Sequence, residues 1–146
     1  MSRVHLIAAD KPLPLCDRQV ERASTSVVSG KTYTISFLRG FRVAEHRYYR
    51  NAVDLLEYPI KPFQYELELE LHKDDLAHLK EYLSQNFQSG ETVELWSIWV
   101  NDSLRKKAPP HYSGHLKDFD METLEQFLNP GLTGSMPGQC RMTITI

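Results

Sequence analysis

The residues Tyr65-Glu66-Leu67-Glu68-Leu69-Glu70-Leu71 alternate apolar and acidic side chains without a fault. A period of two sends successive side chains to opposite faces of a strand. Tyr65, Leu67, Leu69 and Leu71 are therefore expected inward, and Glu66, Glu68 and Glu70 toward water. One wet face marks a sheet covered on one side only. The period then changes. Leu76, Leu79, Leu83 and Phe87 recur at three and four residues, which predicts a helix from Lys73 to Phe87. Asp74 and Asp75 fall in its first turn, where the helix dipole favours carboxylates. After a turn at Ser89-Gly90, Thr92 to Val100 reads as a second strand.

That second strand is unlike the first. Val93, Leu95 and Trp99 share one face with Ser97, and Trp96, Ile98 and Val100 share the other with Glu94. Apolar residues on both sides place it in the middle of a sheet, or set one of its faces against something else. Trp96 and Trp99 project from opposite faces. One is expected beneath the helices. The other is either covered by the N-terminal strands or a loop, or forms a protein–protein contact, since Trp with apolar neighbours is what interface cores use.

The flanking segments supply more strands. Val4 to Ala9 is a short apolar run closed by Pro12 and Pro14. Ser24 to Val28, a turn at Ser29-Gly30, and Thr32 to Leu38 form a hairpin pattern, with Tyr33, Ile35 and Phe37 on one face. Phe41 to Ala44 follows a second turn at Arg39-Gly40, and Tyr48 to Leu56 is compatible with a helix. Asn101 to Asp118 reads as a loop longer than the roughly 12–15 residues at which loops become uncommon. Asp120 is placed to cap a helix whose stripe is Met121, Leu124, Phe127 and Leu128. Cys140 to Ile146 alternates again, with Cys140, Met142, Ile144 and Ile146 inward.

The expected fold class is α+β. It consists of a mixed, mainly antiparallel sheet with two or three helices packed on one face, carrying a split-βαβ, ferredoxin-like element from residue 65 onward. At 146 residues, with 41% hydrophobic composition, one domain spanning residues 1–146 can bury an adequate core. Seventeen basic against 19 acidic residues leave a net charge of -2 and no global field for nucleic acid. No apolar run is long enough for a membrane span or a signal peptide. Cys16 and Cys140 make no disulfide framework, so a cytoplasmic setting with reduced thiols is expected.

Three constellations could carry chemistry. His111 and His115, four apart, could chelate a metal with Asp118 or line a small-molecule pocket with Arg105, although Pro109, Pro110 and Gly114 work against a helix there. Arg39, Arg42, Arg47 and Arg50 are interleaved with aromatics, as in sites that stack bases and neutralise phosphates. Strand parity splits Arg39 from Arg42, and pairing with Glu66, Glu68 and Glu70 across neighbouring strands is the simpler use. Glu66, Glu68 and Glu70, about 7 Å apart along one strand face, could bind a cation or a basic partner, although a solvated face is the commoner use of such a row. Outside these three, Cys16 beside Asp17 has no histidine brought near it by the sequence. No nucleophile elbow, phosphate loop or dinucleotide fingerprint occurs. No metal or cofactor is expected. The leading expectation is a non-enzymatic protein-interaction module, homodimeric or with another protein as partner, using Trp96 or Trp99. The alternative is a small-molecule-binding protein or enzyme with a pocket between the sheet and the 101–118 loop.

Overall fold

A computed structural model of the chain describes residues 2–46, 59–100, 109–133 and 136–146. The helix expected over Tyr48–Leu56 lies outside these residues, as do Arg47, Arg50 and Arg105. The described elements begin with β1 (Ser2–Ala9), β2 (Cys16–Asp17), β3 (Val20–Val28), β4 (Lys31–Arg39), β5 (Arg42–Glu45) and β6 (Phe63–Glu68). They continue with helix α1 (Lys73–Asn86), β7 (Thr92–Val100), β8 (His111–His115) and helix α2 (Met121–Leu128). Short strands β9 (Leu132–Thr133) and β10 (Met136–Pro137) precede β11 (Cys140–Thr145).

Seven strands form one sheet in the order β2-β5-β6-β1-β7-β11-β8. Every neighbouring pair is antiparallel except β11 with β8. The sheet is thus mainly antiparallel, and two α-helices are present among the described residues. β6 and β7 each run antiparallel to β1, which lies between them, so they are parallel to one another and joined through α1. β1 occupies this position because Leu6-Ile7-Ala8-Ala9 does not alternate. All four side chains are fully buried, two to each face.

Ile7, Ala9, Val43, Leu67, Val93, Leu95, Met142 and Ile144 form one face of the sheet, and the helices pack on it through Leu79, Leu83, Leu124 and Phe127. α1 starts at His72, whose ring nitrogen accepts the Asp74 N–H at 3.1 Å. α2 starts at Asp120, whose carboxylate accepts the Thr123 N–H at 2.9 Å, as the sequence predicts. Two stripe residues depart from the pattern. Leu71 is exposed because β6 ends at Glu68 and the chain is already turning into α1, so the period of two no longer applies. Met121 is exposed at the first helical position, a turn before the buried Leu124.

The opposite face is also covered over β1 and β7. Val4, Leu6, Ala8, Trp96 and Ile98 form a second buried cluster, with Ile60 packed against it. The segment entering β6 crosses this face, and the Lys61 N–H donates to the Glu94 carboxylate at 2.7 Å. Glu66, expected in water, sits opposite Leu6 with its side chain only 18% exposed and His46 Nδ1 3.8 Å from its Oε1. Alternation assigned Glu66 to the correct face. It could not show that this face is covered there.

Residues 20–39 do not join the main sheet. β3 and β4 form a separate two-stranded ribbon, in register from Val20↔Arg39 to Val28↔Lys31. The turn between them is Ser29-Gly30, with φ of 52° and 75°. Positive φ at both residues is what a two-residue hairpin turn matching the strand twist needs.

Candidate functional site

The structure disperses the histidine constellation. Residues 111–115 are strand, not loop, because β8 finds a parallel partner in β11, and the Arg141 N–H donates to the Pro110 carbonyl at 2.9 Å. His111 and His115 therefore sit at opposite ends of a strand, roughly 13 Å apart at about 3.3 Å per residue. That separation is too great for one metal ion. His111 Nε2 meets the Thr143 hydroxyl at 2.7 Å, and Asp118 closes a single 3-10 turn. Among the described residues no group of three or more His, Cys, Asp and Glu side chains could hold a metal.

The two tryptophans lie on opposite faces, as parity requires. Trp96 is the one away from the helices, fully buried in the second cluster, with the Arg141 guanidinium 5.3 Å from its ring. Trp99 is half-buried on the helix side, under the Arg3 guanidinium at 4.7 Å. Trp96 is thus part of the interior, and as an exposed contact it is set aside.

Arg39 and Arg42 meet carboxylates. Arg39 donates to Glu70 at 2.9 Å, and Arg42 reaches Glu68 at 3.3 Å and Asp17 at 3.9 Å. A third arginine, not singled out by the sequence, completes the group. Arg22 on β3 holds Glu70 and also reaches Asp75 at 3.2 Å. Asp75 is almost wholly buried and accepts the Glu70 N–H at 2.7 Å, so it does more than favour the helix dipole. Gly40, at φ 133°, lets the chain pass close to Arg18 and Asp75 as the ribbon rejoins the body. These contacts latch the ribbon root to the start of α1. The useful sequence signal was an arginine on each strand near the open end of one hairpin, Arg22 and Arg39.

A row of polar side chains crosses the helix-side face at the other end of the sheet. His5, Ser97 and Cys140 are in register on β1, β7 and β11. Arg3 donates to the Ser97 hydroxyl and to the Gly138 carbonyl, each at 2.8 Å. Burial, aided by the Arg3 charge, lowers the His5 pKa to about 4, and its ring packs on Phe127 at 5.2 Å. Burial pushes the Cys140 thiol up to about 11, against the opposing effect of Arg3. At neutral pH the imidazole is uncharged and the thiol protonated. With a whole strand between them, roughly 9.6 Å at about 4.8 Å per strand, they form no nucleophile–base pair. The row is a packed polar seam.

Beside a concavity of about 520 Å³ along Cys16, Asp17, Arg42 and Glu68, two others open among the described residues. One, of about 350 Å³, opens at the ribbon root between Arg3 and His5 on one side and Glu66, Glu68, Arg39 and Gly40 on the other. The second, of about 460 Å³, runs along β8 and α2 past Tyr112, His115, Asp118, Gln126 and Met142.

The ribbon is the most unusual surface. Every residue of β3 and β4 except Arg22 is exposed. Cross-strand partners share a face, so one face carries Phe37, Ile35, Tyr33 and Val28 together with Val20, Arg22, Arg39 and Lys31. Ile35 is 50% exposed, Tyr33 49%, and Leu38 on the other face 70%. An isolated two-stranded hairpin is marginally stable at best in water, and a third strand or a packed face is what normally supports it.

Comparisons with family models, with curated proteins and with solved structures find no match to this chain.

Proposed function

We propose that this protein is a non-enzymatic protein-interaction module in which a self-sufficient body carries the β3–β4 ribbon as its contact arm. One observation carries the reading. Nine-residue strands with Tyr33, Ile35, Phe37, Val27, Val28 and Leu38 exposed stand off a body whose central strands β1 and β7 carry buried clusters on both faces. Apolar side chains at that density on a surface mark a contact, and the Arg22–Asp75–Glu70–Arg39 latch gives the arm a fixed root. The parallel pair β6 and β7, joined by α1 with β1 between them, supports reading the body as a split-βαβ element of ferredoxin-like kind.

The test is excision. Arg22 is joined to Phe37 through a two-residue Asn-Gly turn, which keeps the root latch and removes the exposed strands. The variant is expected to retain the body's thermal transition and to lose the association of the full chain, with itself or with other proteins, in sedimentation and cross-linking. Association unchanged by excision sinks the reading.

A second reading has one observation in its favour. The groove along β8 and α2 offers Tyr112, His115, Asp118 and Gln126 over a floor of Met142 and Ile144, a polar rim on an apolar base suited to a small molecule. Saturable binding of a small-molecule probe that is abolished by Met142→Trp supports that reading. No binding across a fragment collection removes it.

A further inference from the structure

We infer that the groove along β8 and α2 is a site for a small organic cation, an amine carried on one aromatic ring or a short alkyl body. The inference rests on the small-molecule reading of that groove and specifies the chemistry of its ligand.

The groove owes its space to one missing side chain. β8 pairs with β11 in parallel register, Tyr112 beside Met142 and Gly114 beside Ile144, so these four positions share the helix-side face. At Gly114 nothing stands above the strand, and a Cβ placed there would meet no atom within 4 Å. Gly114 is not among the glycines of positive φ, so the backbone does not call for glycine here. Glycine inside a strand weakens it, and often marks the close approach of a ligand or of another backbone. No backbone approaches this one. Met142 and Ile144 form the floor, and the space of about 460 Å³ lies within the range of small-molecule sites. Successive positions on one strand face are roughly 7 Å apart, which is room for a single ring.

Charge then selects the ligand. At the Tyr112 end the groove is neutral, with the Gln126 amide 3.5 Å from the Tyr112 hydroxyl. One turn earlier on α2, where β8 runs into the 3-10 turn, stand Asp118 and Glu122. Both are exposed, and among the described residues neither side chain forms an ion pair. α2 does not need them as caps, because Asp120 takes the Thr123 N–H and hydroxyl, each at 2.9 Å. No lysine or arginine is among the residues that line the groove, and Lys80 is turned to the Phe119 carbonyl at 2.9 Å. Two carboxylates without a counter-charge, beside an apolar floor, set a negative potential at one end of the groove. An anion is repelled there, and a neutral apolar molecule uses the floor alone. An ammonium group at Asp118 and Glu122, with its ring on Met142 and Ile144 under Gly114, uses both.

The test uses the full chain near neutral pH, with phenethylamine as the probe and 2-phenylethanol and 3-phenylpropionate as its neutral and anionic counterparts. In an NMR titration the amine is expected to shift the amides of Ser113 to His115 and Thr123 to Gln126 saturably. It should bind about threefold tighter than the alcohol and about tenfold tighter than the carboxylate. Asp118→Asn combined with Glu122→Gln is expected to bring the amine down to the level of the alcohol, and raising salt from about 0.05 to about 0.5 M to do so in part. Gly114→Leu places its Cβ in open space, so it should melt like the wild-type chain and abolish binding of all three probes. Should leucine unfold the chain, Gly114→Ala is expected to weaken the amine about threefold. An alcohol that binds as tightly as the amine, or an amine indifferent to the double charge variant, overturns the cation assignment. The groove reading then stands if Gly114→Leu still abolishes what binds. Amine binding that survives Gly114→Leu overturns the inference by placing the ligand elsewhere. If none of the three probes binds, the cation inference fails, and a fragment collection that also yields nothing removes the groove itself.

Discussion

β1 with β7 and β3 with β4 are both long antiparallel pairs in unbroken register, yet one is buried on both faces and the other is open on both. The ladder is common to the two. A typical net contribution of about 0.5–1.5 kcal/mol per hydrogen bond is offset by the entropy of ordering each residue. Burial is what separates them. The body pair lies between two apolar clusters, whereas the ribbon has a latch at its root and, along its length, whatever docks there. The body is a fold, and the ribbon is a fold only in company.

The contrast is broken or upheld most forcefully by a pair of aromatic truncations. Trp96→Ala empties a fully buried site and is expected to cost about 3–5 kcal/mol, read as a shift of the urea midpoint. Phe37→Ala, on the ribbon, is expected to stay within about 0.5 kcal/mol at low protein concentration. Similar losses from the two would mean that the ribbon belongs to the cooperative core.

How far this division was legible from the residues depends on which interaction set each element. The Tyr65–Val100 unit was readable because its period changes from two to 3.6 and back, and period follows from backbone geometry. The capping role of Asp120 and the turn at Ser29-Gly30 were readable for the same local reason. β8 was not. His-Tyr-Ser-Gly-His has no alternating apolar face, and it is a strand because β11 offers backbone partners, which leave no mark in side-chain pattern. Glu66 was assigned to the correct face and the two tryptophans to opposite faces, but which tryptophan lies away from the helices, packed in a cluster with Ile60, is a tertiary fact. The short apolar run from Val4 to Ala9 was readable as a strand, but its place in the middle of the sheet was not. Its hairpin neighbours looked equally strand-like in sequence, and only the space around them differs.

Acid sharpens the comparison next. The unfolded chain takes up a proton on His5 near the ordinary value of about 6.5, whereas the folded body does so only at about 4. Between these values the unfolded state binds more protons, so stability rises with pH. The contribution of a neutral, buried His5 is complete above about pH 6.5 and is lost as pH falls to about 4. Its size is on the order of 3 kcal/mol. Urea midpoints measured from pH 7 to pH 4 are expected to fall accordingly, and His5→Gln to flatten that part of the profile. An equally steep profile in the variant would assign the acid sensitivity elsewhere.

The latch joins the two regions and should show an effect in both. Arg22→Ala leaves the buried Asp75 with the Glu70 N–H but without its cation, and about 1–3 kcal/mol is expected to be lost. Amide exchange at the root, from Val20 to Ala23 and from Phe37 to Arg39, should accelerate together with the fall in global stability. A global loss with unchanged root exchange would show that Asp75 serves α1 alone.

The smallest effect tests independence most cleanly. Gly30 lies at φ 75° with open space where a Cβ would stand, so Gly30→Ala introduces no clash. Its cost is the left-handed backbone alone, about 1 kcal/mol. If ribbon and body are separate cooperative units, that cost falls on the ribbon. Amides of Ser26 and Tyr33 near the turn are then expected to exchange about fivefold faster, since about 1.4 kcal/mol corresponds to tenfold. The body's urea midpoint should not move. A midpoint that shifts by the full amount would mean that the ribbon unfolds only with the body.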